Sequence, residues 1–233
     1  MKAITVLTWR WTNPHYRDQY PAERVNIFYR MLSRNATVPW EPLCITDDPN
    51  GIDVPTLPLW ENPGPNYGGL HKPNCFYRLR AFSAEFANTC SRFIWFDLDC
   101  VILKNIDYLL RDDADFRIWK PDGGRMPCNG SLVLHRSGTR TRLWDTFDPT
   151  AIHPITGYKH LNGFQGSDQA WIAQNLTRDD RTYGQRDGIF SYRSHIRHKR
   201  APFALARVVF CNGEHKPWGD EMQGLRWVRE HYR

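Results

Sequence analysis

The sequence has no run approaching the ~20 apolar residues needed to span a bilayer, and no internal repeat or low-complexity segment. Helical membrane-spanning and solenoid architectures are excluded on those grounds. Its six cysteines (Cys44, Cys75, Cys90, Cys100, Cys128 and Cys211) include no close C-x-x-C pair, so a structural zinc site is not expected. A secretory leader is not expected, because Met1-Lys2 leads directly into the first strand-like run. The expectation is a reduced, cytoplasmic protein with free thiols. The chain of 233 residues is long enough to bury a sizeable core. Ten tryptophans, ten tyrosines and twelve phenylalanines argue for a packed globule against disorder. The net charge of +6 favours anionic partners: nucleotides, phosphorylated glycans, nucleic acid or an acidic membrane.

Ala3 to Thr8 reads as a buried strand. A helix opened by Pro21 follows, with Val25, Phe28, Tyr29 and Leu32 at core-facing spacing, and Leu43 to Thr46 is a second strand. Strand, helix, strand at this spacing is a βαβ unit and predicts a parallel sheet. Asn62 to Gly69 is rich in Pro and Gly and reads as a surface loop or a mobile lip over a site. A helix opened by Pro73 would place Phe76, Leu79, Phe82 and Phe86 on one face, with Arg78 and Arg80 between them. Further strands are expected at 116–119, 132–134 and 207–211. Helices are expected after Ser137, after Ser167 and over 219–233. The polar run 177–200, ending in Arg193, His195, Arg197, His198, Lys199 and Arg200, reads as a solvated face.

The sequence is organised around Phe93 to Leu103, F-I-W-F-D-L-D-C-V-I-L, where an apolar run rises into two acids and then resumes. On an extended chain Asp97 and Asp99, two apart, project to the same side. Two adjacent carboxylates repel and are costly to bury. A hard divalent cation such as Mg²⁺ or Mn²⁺, with its preference for oxygen ligands, offsets that cost. The plainer alternative is two acids at the exposed end of a strand.

Several motifs follow one another in order: Y-R-L (Tyr77 to Leu79), F-D-L-D (Phe96 to Asp99), N-G-S (Asn129 to Ser131), G-S-D-Q (Gly166 to Gln169) and N-G-E-H-K-P-W (Asn212 to Trp218). In this order the chain resembles the GT-A glycosyltransferases, especially the family 8-like group of glycogenin and bacterial galactosyltransferases. The resemblance covers roughly residues 3 to 218. It implies one α/β domain over 1–233 with a mostly parallel central sheet flanked by helices. The nucleotide-binding half would be about 1–103, the acceptor-side half about 104–218, and a terminal helix 219–233. It also implies that Asp97 and Asp99 bind Mn²⁺ or Mg²⁺ under the diphosphate of a nucleotide-sugar, with Asp97 also near the ribose or sugar. Arg78, or alternatively Arg80, would lie near the phosphates, and Asn129 would hydrogen-bond the donor sugar. Asp168 and Gln169 would sit by the reaction centre, with Gly213 and Lys216 at the diphosphate. Thr8, at the carboxyl end of the first strand, is a further nucleotide-contact candidate, since open α/β sheets place their sites there.

One departure stands out. The family pattern is H-x-x-G-x-x-K-P-W, whose His is a metal ligand. Counting back from Gly213 puts Phe210 at that place. His215, Cys211 or Asn212 would have to substitute, and His215 is preferred because imidazole suits Mn²⁺ better than an amide does.

The expected function is a metal-dependent glycosyltransferase moving a sugar from a nucleotide-sugar, with UDP the expected nucleotide, to a hydroxyl acceptor that the basic charge would allow to be anionic. A nucleic-acid partner is not expected, because no nucleic-acid motif appears; a peripheral membrane contact stays open. Two alternatives compete. Phe96 to Val101 also resembles the F-D-x-D-G-V opening of the HAD-like phosphatases, in which Asp97 would be nucleophile and Asp99 general acid. The third reading is an inactive protein that binds nucleotide-sugar or an anionic polymer.

Overall fold

The computed structural model describes residues 3–12, 19–64, 75–121, 127–152, 167–198 and 201–233. The first strand, β1 (Ile4–Arg10), leads to helix α1 (Ala22–Asn35), then β2 (Trp40–Thr46) and β3 (Thr56–Pro58). Pro21 stands at the helix entrance, and Val25, Phe28, Tyr29 and Leu32 are all buried, as their spacing requires. After β4 (Arg92–Phe96) come β5 (Cys100–Ile102), α2 (Asp107–Arg111), β6 (Phe116–Trp119) and β7 (Asn129–Arg136). Two short helices follow, α3 (Arg142–Asp145) and α4 (Asp168–Gln174). The remainder comprises β8 (Arg181–Tyr183), β9 (Ile189–Ser191), β10 (Val208–Phe210), α5 (Asp220–Gln223) and α6 (Arg226–His231).

Seven strands form the main sheet in the order β3-β2-β1-β4-β7-β6-β8. Four of its six pairings are parallel, and β7 runs antiparallel to both its neighbours. Both faces are covered, which explains the unbroken apolar runs of the central strands. On β4, Ile94 and Phe96 pack with Val25, Phe28 and Leu32 of α1. Phe93 and Trp95 point the other way, into a cluster with Phe76, Leu79, Phe82 and Phe86 and with Trp171 and Ile172 of α4. A second sheet, β5-β10-β9, packs on the α1 side together with Met222 of α5 and Val228 of α6. Among the described residues no helix is long and apolar enough to cross a membrane, and all six cysteines are unpaired.

Several expected elements differ. The segment expected to form a helix from Pro73 is instead two 3-10 helices, Phe76–Phe82 and Glu85–Asn88, with Pro73 itself outside the described residues. Extended backbone at Ser83 ends the first of them, and the Ser83 hydroxyl accepts a hydrogen bond from Phe86 N–H. Ser137 lies in a turn with Gly138, whose φ is +83°, and helix α3 begins only at Arg142. The expected terminal helix divides into α5 and α6 around Gly224. The polar run 177–200 is not simply a solvated face. It contains β8 and β9, with Tyr183, Ile189 and Phe190 fully buried. Arg117 of β6 holds this region by hydrogen bonds to Asp112, Asp187 and the Thr182 carbonyl. Much of the Asn62 to Gly69 loop lies outside the described residues.

A candidate donor-binding site where the two sheets meet

Asp97 and Asp99 do not lie on one continuous strand. They form the crossing from β4 in the large sheet to β5 in the small one. Asp97 N–H donates to the Ser131 carbonyl at 2.8 Å, extending the β4–β7 ladder, while the Asp99 carbonyl accepts from Cys211 N–H at 2.7 Å, extending the β5–β10 ladder. Leu98 between them is buried in the core. Each acid is therefore fixed by a different sheet, and N-G-S and the segment before K-P-W are brought to the same place by strand pairing.

Arg78, on the first 3-10 helix, reaches into this crossing and is buried. Its Nη1 donates to Asp97 Oδ1 at 2.6 Å. Its Nη2 donates to Asp168 Oδ1 at 2.8 Å, and its Nε lies 2.8 Å from Asp168 Oδ2. Burial works against the guanidinium charge, but the two carboxylates outweigh it and hold the group protonated more firmly than an ordinary arginine. Burial lifts the Asp168 carboxyl above its usual range, with Arg78 pulling against that rise. Arg80, the alternative, is exposed and lies over the Trp60 ring at 5.8 Å. Arg78 is thus the arginine brought to the acids.

The second half of the site is built from the other direction. Ser131 donates its hydroxyl to Asp97 Oδ2 at 2.6 Å and accepts from Asn212 Nδ2 at 2.9 Å. Lys216 Nζ donates to Asp99 Oδ2 at 2.6 Å, and both side chains are buried. Burial alone would pull the Lys216 ammonium down, but the adjacent carboxylate raises it above an ordinary lysine. Gln169 accepts from Gly130 N–H at 3.3 Å, and Asn129 Oδ1 accepts from Ser131 N–H at 2.8 Å. Gly213 takes φ +80°, a left-handed turn suited to glycine, at the start of the loop carrying Lys216. Sequence reasoning assigned no role to Ser131 and considered Asn212 only as a metal ligand. Their motifs were visible, but the hydrogen bond joining them spans 81 residues.

Gly130 lies under Arg78. A Cβ there would stand 3.1 Å from Arg78 Nη2 and 3.5 Å from both Asp168 oxygens. Because Arg78 is clamped to two acids it yields poorly. Gly130→Ala is expected to cost about 1 kcal/mol by overpacking and to lower the melting temperature by roughly 2–4 °C. Thermal unfolding of the variant checks this, and an unchanged midpoint would show that Arg78 moves freely.

Two expected residues are not brought to the cluster. Thr8 is fully buried, and its hydroxyl is 3.1 Å from that of Tyr29, which also bridges the backbone of β1 and β2. It serves strand–helix packing. His215 engages other partners at both ring nitrogens: Nδ1 is 2.9 Å from Glu221 Oε2 and Nε2 is 3.0 Å from Arg197 Nη1. It ties the loop to α5 instead of completing a metal site. Phe210 is buried against Trp119, ring centroids 4.7 Å apart. Among the described residues no three His, Cys, Asp or Glu side chains gather to hold a metal ion. Of the four carboxylate oxygens of Asp97 and Asp99, three are engaged; Asp99 Oδ1 is buried and has no partner among the described residues. That orphaned anionic oxygen fits a hard cation.

No protein-family model matches the chain, and no curated protein sequence matches it. Solved structures do. A galactosyltransferase, LgtC, in complex with donor and acceptor sugar analogs superposes with a TM-score of 0.62 at 12% identity, over 97% of this chain and 93% of that one. The glycosyltransferase GlyE of Streptococcus pneumoniae TIGR4 gives 0.60 at 14% identity, over 98% of this chain and 63% of that one. The bifunctional WbbM gives 0.59 at 9%, over 94% of this chain and 47% of that one. At these identities the likeness is one of fold. The chain has the GT-A fold that its motifs imply.

Proposed function

We propose that the protein is a glycosyltransferase that moves a sugar from a nucleoside-diphosphate donor, with UDP as the nucleotide, to a hydroxyl acceptor. The observation that carries this reading is the convergence of Arg78, Asp97, Asp99, Asp168 and Lys216 at the meeting of the two sheets. The complex of LgtC with donor and acceptor sugar analogs, in a protein of the same fold, supports it. Breaking a glycosidic bond to a diphosphate develops negative charge on the leaving group, and the site must stabilise it. Lys216 and Arg78 are the cations placed to do so. Mn²⁺ or Mg²⁺ would be held by Asp99 through its unpaired Oδ1, with Asp97 beside it, and would supply further charge stabilisation there. Asp168 and Gln169 would face the anomeric centre, Asn129 would bond the sugar, and Gly213 would let backbone approach the diphosphate. Three carboxylates against two cations leave the cluster formally at −1 (2 − 3), a site needing added positive charge before it accepts a diphosphate. The phosphatase reading gains nothing, since both oxygens of Asp97, its nucleophile, are engaged by Arg78 and Ser131.

Calorimetric titration of UDP and GDP, with and without Mn²⁺, tests the proposal. The expected result is binding of UDP that tightens with Mn²⁺. Metal-dependent GDP binding alone would change the donor but keep the class. Failure of both at millimolar Mn²⁺ would overturn the reading.

A further inference from the structure

We propose that Lys216 is a built-in counterion that holds the place of the divalent cation at Asp99, so that metal and diphosphate enter by exchange: the metal takes Asp99 and the released ammonium passes to the diphosphate. The nucleotide part of this inference rests on the sugar-transfer reading; the competition between Lys216 and a metal does not.

The argument starts from charge. Asp99 is buried, and a buried carboxylate needs a cation. In the structure that cation is Lys216 Nζ, 2.6 Å from Oδ2. Its other described neighbour is Tyr20, whose side chain hydrogen-bonds the ammonium and whose ring centroid lies 5.6 Å from Nζ. A divalent cation binding at Asp99 Oδ1 would lie within a few ångströms of that ammonium, and like charges at such range disfavour each other. The metal therefore binds well only if Nζ leaves Oδ2. An ammonium removed from Asp99 needs another anion, and none stands free in the cluster: Asp97 is held by Arg78 and Ser131, and Asp168 by Arg78. The two phosphate groups of the donor supply it. The flexible four-carbon stem of lysine suits a group that changes partners, whereas a fork-shaped arginine would not exchange so readily. Coupling of this kind is reciprocal: each ligand tightens the other.

The loop geometry fits the exchange. Lys216 stands between Gly213, at φ +80°, and Gly219, on a loop anchored at one end by the Asn212–Ser131 bond and at the other by His215 on Glu221. Anchors on both sides keep Nζ near Asp99, so the exchange would need only the lysine stem to turn within a loop whose ends stay fixed. Within this arrangement the buried, unpaired Oδ1 would take the metal, and Oδ2 is the oxygen released.

Mn²⁺ binding, followed by loss of the free-ion electron paramagnetic resonance signal, tests this on the full chain without nucleotide. Lys216→Met keeps the length of the stem and removes the charge. It is expected to bind Mn²⁺ about tenfold or more tightly than wild type, since an opposite or like charge at this range shifts such equilibria by about one to three powers of ten. Equal or weaker binding by folded Lys216→Met would overturn the exchange. Asp99→Asn reads the same exchange from the other side and decides the matter should Lys216→Met not fold. With Lys216 released, inorganic pyrophosphate without metal is expected to bind Asp99→Asn about tenfold more tightly than wild type; no gain over wild type would overturn the proposal. The two readings separate cleanly. A gain in Mn²⁺ affinity for Lys216→Met with no UDP binding in wild type would remove the transferase reading and leave the competition standing. UDP binding with no gain would do the reverse.

Discussion

Arg78→Met is expected to destabilise the protein by about 3–5 kcal/mol, the cost of stranding buried carboxylates without their cation. The guanidinium makes three close contacts, to Asp97 at 2.6 Å and to both oxygens of Asp168 at 2.8 Å, and Asp168 is only 1% exposed. Methionine keeps most of the stem packing and removes all three. The remaining acids, Asp97, Asp99 and Asp168, would then face one cation, Lys216. Protonation of Asp168, already favoured by burial, would absorb part of the penalty. Urea denaturation at neutral pH measures the loss; a change under about 1 kcal/mol would show that the pair is not buried in solution. The double variant Arg78→Met/Asp168→Leu separates stability from function. Replacing a buried ion pair by apolar side chains is often neutral, so much of the stability is expected to return. Donor binding is not, because both groups belong to the proposed site.

The second large effect concerns acid. His135 on β7 is fully buried among aromatic rings, with Phe82 at 4.8 Å, Phe93 at 5.4 Å and Phe116 at 6.3 Å between centroids. Burial first, and the nearby Arg140 second, push its imidazole down to about 3, with Asp115 pulling weakly the other way. In the unfolded chain the same ring titrates near 6.5. Between those values the unfolded state binds the proton and the folded state does not, so stability rises with pH across the window. The contribution is complete above about pH 6.5 and falls by about 1.4 kcal/mol per pH unit on acidification. About 3 kcal/mol is expected to disappear between pH 6.5 and 4. Asp107 acts in a lower window. Desolvation, the largest single influence, raises it, but hydrogen bonds from the Thr37 hydroxyl and N–H, Asn105 and Val38 N–H together outweigh it and hold it at about 2, so its share of stability is lost only below the normal carboxylate range. Denaturant melts at pH 7, 5 and 4 for wild type and His135→Phe check this. The variant should lose most of the slope above pH 4, and an unchanged slope would rule out His135 as its source.

Much of this protein is local and was therefore legible in the sequence. The 3.6-residue spacing of Val25, Phe28, Tyr29 and Leu32 marks α1 whatever it packs against, and the apolar runs of β1 and β4 mark strands buried on two faces. The order of Y-R-L, D-x-D, N-G-S, D-Q and K-P-W pointed to the GT-A fold, which the solved neighbours bear out. The same reading failed where an element owes its existence to a distant partner. Strands β8 and β9 are three residues each inside a polar run and exist by pairing with β6 and β10. Thr8 stands at the expected strand end, yet its hydroxyl turns to Tyr29. Motif spacing offered His215 as a metal ligand, but spacing does not say which way a loop side chain points, and Glu221 and Arg197 hold that ring.

By itself the sequence determined the residues present, the βαβ opening and the pair of acids at the break in an apolar run. Only the tertiary structure decided how those acids are neutralised, since Arg78 reaches Asp168 across 90 residues and Lys216 reaches Asp99 across 117. The physical reason is that a carboxylate's need for a cation is written in its chemistry, whereas the cation that meets it is set by which strands lie side by side.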